Sequence, residues 1–301
     1  MDANFAGTTD AGVDRRRYAD WSILVASIPI LTYHSLNIEA NNYLGNDHVA
    51  FREDLRLLNA LGWRIIPALD VARLLTEPVG NWPDKCVAIT FDDGTNFDFE
   101  DLPHPSAGDQ RSMLNIMRDF AADFPGAQPT LHATSFVIAS TDARETMDRS
   151  CILGRGWMSD SWWKLAVESG FFHVANHSWD HCHDSLPVIA QRDQMKGTFI
   201  GVDTLADADL QIKAAAASIA NVAPNPGVSL FAYPYGHSNP YLLEEYLPQQ
   251  ANSGQPFVTA AFSTEPAPVT RASNRWQIPR YVCGYHWKSA DDLKAILRDA
   301  A

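Results

Sequence analysis

Short apolar runs alternate with helix-periodic segments along nearly the whole chain, and this alternation restricts the fold more than any other feature. The runs at 28–34, 64–67, 86–91, 133–139, 171–175, 228–233, 257–262 and 277–283 read as strands. Helical spacing spans 47–61, 69–75, 109–123, a segment opened by Ser159 or Asp160 and closed by Gly170, then 203–222, 240–249 and 290–298. Asp47 reads as the N-cap of the first helix, with Val49, Leu55, Leu58 and Leu61 on its apolar side. About seven β/α units in one chain argue for a parallel barrel rather than two domains. A chain of 301 residues that is 46% hydrophobic has enough apolar material for one large core. Residues 1–27 read as an N-terminal extension and 28–301 as the barrel. The stretches 95–108, 185–198 and 264–274 lack periodicity and are expected to overhang the face where the strands end.

Two segments carry chemistry. Thr90-Phe91-Asp92-Asp93-Gly94 follows the apolar run Val87-Ala88-Ile89, so both aspartates fall at a strand end. His177-Ser178-Trp179-Asp180-His181 lies far downstream. One carboxylate and two histidines form a ligand set suited to a catalytic zinc that keeps a position open for water. Asp93, His177 and His181 are the candidate ligands, which leaves Asp92 free to act as a base. Histidines four apart meet on one side of a helical turn, and Asp180 is placed to hold a ligand ring by hydrogen bonding. Neighbouring strand residues face opposite ways, so separate roles for Asp92 and Asp93 require a bend, which Gly94 permits. The expectation is a metal-assisted hydrolase.

Charge narrows the partners. A net charge of −13 disfavours nucleic acid and anionic membrane surfaces and suits a neutral substrate. Cys86, Cys151, Cys182 and Cys283 form no CxxC pair, so buried free thiols are expected; Cys182 adjoins His181, where oxidation would disturb the site. The N-terminal 20 residues are polar and include Arg15-Arg16-Arg17, and the apolar run 23–31 is short and broken by Ser27 and Pro29. Neither a signal peptide nor a membrane span is read there, which points to a cytoplasmic protein.

The motifs resemble those of the polysaccharide deacetylase family, the NodB-like carbohydrate esterases. Thr90–Gly94 is similar to the family's T-F-D-D-G, and His177–His181 to its H-[ST]-x-x-H. Phe231-Ala232-Tyr233-Pro234-Tyr235-Gly236 is similar to the third motif, with Ala232 in place of its arginine. The resemblance covers nearly the whole chain from Ile28 to Ala300. It implies a single-domain α/β fold, a distorted parallel (β/α)7 barrel, with a divalent metal, usually zinc. It also implies Asp92 as general base, Asp93 as metal ligand, and an oxyanion-stabilising backbone N–H at Tyr235. The leaving amine needs an acid, and the family's C-terminal L-x-H histidine has no good match, since His286 sits in Gly284-Tyr285-His286-Trp287. A subset of the family places this histidine in an N-terminal Tyr-His segment, which implies His34 as general acid. Arg280 is our candidate to replace the missing arginine and orient Asp92 from a neighbouring strand.

Several readings remain open on this basis. The first is removal of N-acetyl groups from an N-acetylated sugar or polysaccharide, releasing acetate and an amine. Others are an amidohydrolase on a small amide or cyclic imide, an O-acetyl esterase, and a sugar-binding protein without catalysis. Trp157, Trp162, Trp163, Trp179 and Trp287 are candidates for stacking on sugars, with Trp179 first and Trp162 and Trp163 read rather as core. His173, His183 and His237 read as supporting or solvent-facing residues.

Overall fold

The computed structural model describes residues 26–76, 82–190, 195–254 and 256–301. Positions 1–25 of the expected N-terminal extension lie outside the described residues. The strands are β1 (Ile30–Tyr33), β2 (Arg64–Ile65), β3 (Cys86–Phe91), β4 (Leu102–His104), β5 (Gly108–Gln110), β6 (Ala133–Val137), β7 (Phe172–Asn176), β8 (Leu230–Ala232), β9 (Ala260–Phe262) and β10 (Tyr281–Val282). The main sheet runs β10-β1-β3-β6-β7-β8-β9, with β2 added to β3, and every pairing in it is parallel. β4 and β5 form a separate antiparallel pair. The fold is mixed α/β, built around a curled parallel sheet, as the alternation of elements implies.

Parallel strands covered on both faces lose the polar alternation of exposed sheets. β3 is buried at all six positions. Its odd-numbered residues Val87, Ile89 and Phe91 join Leu31, Tyr33, Val137, Phe172 and Val174 in a cluster shared with the helices Asp47–Ala60, Met113–Asp123 and Ala290–Ala300. The opposite face carries Ile30, Ala88, Phe136, Ala175, Ala232, Ala260 and Phe262. That inner layer turns polar toward the strand ends, where the Thr32 and Thr90 hydroxyls are 2.9 Å apart. By the same alternation Asp92 and His177 continue the inner face.

Several elements differ from the sequence reading for local reasons. Asn46, not Asp47, caps the first helix, accepting from the His48 N–H at 2.9 Å. The Asp47 carboxylate instead accepts from the His34 backbone N–H at 2.7 Å. The third expected helix begins at Met113 with Ser112 as its cap, because 108–110 is spent on pairing with 102–104. Ser159 and Asp160 do not open a helix; the segment there is only Trp163–Glu168. A helix at Thr141–Cys151 was not anticipated; two of its four buried residues are Arg144 and Asp148, so it shows no apolar stripe. In the helix expected over 240–249, Pro248 has no N–H to donate, and the preceding turn, Tyr241–Tyr246, is wound as a π-helix. The last expected strand contracts to Tyr281–Val282, with Ile278 bridging Phe262. Among the described residues, no helix is long and apolar enough to cross a membrane.

Candidate metal centre and catalytic cleft

Four strands deliver the central residues at their C-terminal ends: β1 gives His34, β3 gives Asp92 and Asp93, β7 gives His177, and β8 leads into Tyr235. The expected bend after β3 is present. Asp93 has φ 73° and Gly94 φ 67°. A Cβ on Gly94 would lie 2.5 Å from Val137 Cγ1, so both space and backbone demand glycine. The bend turns Asp93 away from Asp92 and toward the histidines.

Asp93 Oδ1 lies 3.6 Å from His177 Nε2 and 3.6 Å from His181 Nε2. All three donor atoms fall within 4.8 Å of one another, and this is the trio that gathers so among the described residues. The donor types and convergence fit a divalent metal of the zinc kind. Burial, helped by repulsion from His177, pushes His181 down to about 3, which keeps its ring in the neutral ligand form.

The two histidines do not meet on a helical turn. Ser178, His181 and Cys182 all have positive φ, so the segment is a tight irregular loop. Side chains knit it together. Asn176 Oδ1 accepts from the Ser178 N–H at 2.8 Å, and Ser178 Oγ from the His181 N–H at 2.8 Å. Asp180 corrects another expectation. Its Oδ1 accepts from the Cys182 N–H and from Gln211 Nε2, at 2.9 and 2.7 Å, and so braces the loop rather than a ring. The His177 ring is held by the Ala232 carbonyl, 2.9 Å from Nδ1. His181 Nδ1 is buried without a hydrogen-bond partner among the described residues.

Arg280 reaches Asp92 as the sequence reading anticipated. Nη1 donates to Oδ1 at 2.7 Å and Nη2 to Oδ2 at 2.8 Å, while Nε donates to the Ser263 carbonyl at 2.9 Å. The guanidinium is fully buried over the Phe136 ring, 5.3 Å from its centroid. Phe136 shares the inner layer with Ala232, the small residue at the departed arginine's motif position. Burial alone would raise Asp92, but the charge of Arg280, the charge of His177 and the hydrogen bonds from Arg280 outweigh it and hold the carboxyl well below the usual range. Asp92 is therefore an ionised, fixed acceptor.

A cleft of about 350 Å³ opens onto Asp92, His177 and His181, and His34, Tyr235 and His286 also line it. Tyr235 has φ 58° and its ring stands 4.5 Å from that of His181. His34 Nδ1 is buried with no partner among the described residues. His286 Nδ1 accepts from the Val282 N–H at 2.7 Å, so its neutral ring carries the proton on Nε2. Both acid candidates thus share one cavity. Thr264 and Tyr285 also line it, and neither stood out in the sequence, because both sit in short loops between motifs.

The tryptophans behave differently from their sequence reading. Trp162 and Trp163 are core residues as expected. Trp157 and Trp287 are buried too, which removes them as sugar platforms. Trp179 is not among the residues that line the cleft; it is partly buried against the core and lines a separate surface depression with Ser140 and Leu186. His183 pairs with Ser185, His237 with Thr198, and His173 packs against His132. Cys86, Cys182 and Cys283 are buried thiols, and Cys151 is exposed.

Comparison with known proteins follows the same lines. The family model for polysaccharide deacetylase matches residues 80–248, more than half of the chain and all three motifs. Several solved structures share the fold at low identity, two of them as follows. The Streptococcus pyogenes deacetylase PplD, solved in complex with acetate, is 15% identical with a TM-score of 0.60, covering 91% of this chain and 99% of that one. IcaB from Ammonifex degensii is 18% identical with a TM-score of 0.59, covering 92% and 98%. No curated protein matches the chain. With the motif-bearing strand ends in place and the family model spanning them, this chain belongs to the polysaccharide deacetylase family.

Proposed function

We propose that the protein is a metal-dependent deacetylase that hydrolyses the N-acetyl group of an N-acetylated saccharide, and that its curled sheet is the distorted (β/α)7 barrel of such enzymes. The observation that carries the reading is the convergence of Asp93, His177 and His181 at a cleft that also holds an Asp92 clamped by Arg280. Asp93 Oδ1, His177 Nε2 and His181 Nε2 would hold the metal, with zinc the first choice for this donor set. When bound, such a metal supplies electrophilic activation of the acyl carbonyl and of a water. Asp92 accepts the proton of the attacking water, and Arg280 keeps both of its oxygens oriented. The Tyr235 N–H donates to the carbonyl oxygen as charge develops there. His34 gives a proton to the departing amine as the C–N bond breaks, so that acetate and a free amine leave.

The test is acetate release from N-acetylglucosamine oligomers, by wild type and Asp92→Asn, after chelation and after zinc is restored. Release is expected to require the metal and to fall by about 10²- to 10⁴-fold in the variant. A protein that binds one metal per chain yet releases no acetate from any N-acetylated saccharide overturns the reading.

A further inference from the structure

Tyr285 is 78% exposed at the lip of the cleft, and none of the steps above uses it. Among the described residues, the exposed large apolar side chains include three aromatics: Phe124, Tyr235 and Tyr285. Two of these three line the same cleft. Tyr235 packs on the ring of His181 and so belongs to the reacting centre. Tyr285 stands further out.

Its backbone is firmly built. Gly284, at φ 78°, opens a tight turn in which the Gly284 N–H donates to the Trp287 carbonyl at 2.9 Å. The Tyr285 and His286 N–H groups both donate to the Val282 carbonyl, at 3.2 and 2.9 Å. The Val282 N–H in turn donates to His286 Nδ1 at 2.7 Å. The turn is rooted by Trp287, which is 1% exposed and donates Nε1 to Asp54 Oδ2 at 3.2 Å. Tyr285 is therefore an exposed ring on a fixed perch. Exposure of this size contributes little to packing. A rigid aromatic with two side-chain torsions presents amphipathic contact area at low entropic cost, which suits recognition.

The cleft volume of about 350 Å³ is at the small end for ligand sites, enough for the reacting sugar and little more. A sugar joined to it would extend over the lip, where its C–H face meets the Tyr285 ring. We infer that Tyr285 is a binding platform for the sugar next to the one deacetylated. This inference rests on the deacetylase reading.

The experiment compares kcat/KM for N-acetylglucosamine and for its pentamer in wild type, Tyr285→Ala and Tyr285→Phe, with melting temperatures recorded. Wild type is expected to favour the pentamer. Tyr285→Ala is expected to lower the pentamer-to-monomer ratio about five- to tenfold, mainly through KM, and Tyr285→Phe to keep most of it. An unchanged ratio in Tyr285→Ala overturns the inference, and so does a Tyr285→Phe variant as impaired as Tyr285→Ala. The wild-type length dependence tests the idea without any variant: a flat profile from monomer to pentamer removes the platform and leaves the deacetylase reading standing. Absence of acetate release from every saccharide removes both.

Discussion

β7 and the residue that follows it place two histidines, His173 and His177, four apart on one face, and each meets a second histidine. Within the strand, His173 packs against His132, with ring centroids 4.2 Å apart; just past its end, His177 meets His181 at 4.9 Å. Burial pushes His132 and His181 alike down to about 3, helped in each case by its neighbouring histidine. Both pairs leave buried Nδ1 atoms without partners among the described residues. They differ in what else arrives. At the strand's end, Asp93 is brought within 3.6 Å of both Nε2 atoms, beside an open cleft. At the strand's beginning, the ring of His173 is packed tightly against Gly227, and the pair joins no trio of donors among the described residues. Proximity and burial are common to the two pairs, so neither distinguishes a metal site. Convergence of a third donor on a cavity does.

The comparison is broken most directly by metal analysis. His177→Ala or His181→Ala is expected to weaken zinc binding by more than about 100-fold, beyond the loss typical of supporting residues around a metal. His132→Leu is expected to leave one zinc per chain after gel filtration, read by elemental analysis. Equal losses at both ends of β7 would sink the contrast. A second large effect is set beside the metal ligands. Removing one partner of a fully buried ion pair leaves an uncompensated charge, so Arg280→Ala is expected to cost about 3–5 kcal/mol in urea unfolding. Arg280→Lys keeps the charge but not the two-pronged geometry, and is expected to recover more stability than turnover. Full activity in Arg280→Ala would show that Asp92 needs no such clamp.

The contrast between the two pairs also shows what was legible in the sequence. The gathering of Asp93, His177 and His181 beside Asp92 was legible because strand-end carboxylates and spaced histidines are residue types suited to holding a metal. Arg280 was readable as a substitute only because Ala232 left a gap in a known pattern. The loop that joins His177 to His181 was misread as helical, since spacing of four fits a helix, whereas Asn176, Ser178 and Asp180 fold the segment through local side-chain to backbone bonds. Helix Thr141–Cys151 was missed because its buried face includes Arg144 and Asp148, whose partners lie in the segment after the helix: the Met158 carbonyl for Arg144, and the Gly156 and Trp157 N–H groups for Asp148. Trp179 drew the reading as a sugar platform and does not line the cleft, whereas Tyr285, which does, was not weighed. Motif membership drew attention to one, while exposure on a fixed turn is a property of the folded chain.

The smallest expected effect separates the two pairs by pH. His132 titrates well below its unfolded value near 6.5, so its contribution to stability is present above pH 6.5 and is lost as pH falls toward about 3. Between pH 7 and pH 5 the loss is about 1–2 kcal/mol, and His132→Leu is expected to flatten the stability profile by that amount in urea unfolding. His181 is depressed in the same direction and gives the metal-free protein a slope in the same window. Zinc distinguishes them. Metal binding requires the deprotonated ring, so zinc holds His181 deprotonated below about pH 4, where the metal-free ring would take up its proton, and extends the His181 part of the profile to lower pH, while leaving the part that depends on His132 unchanged. The flattening produced by His132→Leu should therefore be the same with and without zinc. If zinc altered it, the pair at the beginning of β7 would be coupled to the metal, and convergence on Asp93 would no longer be what sets the two ends of the strand apart.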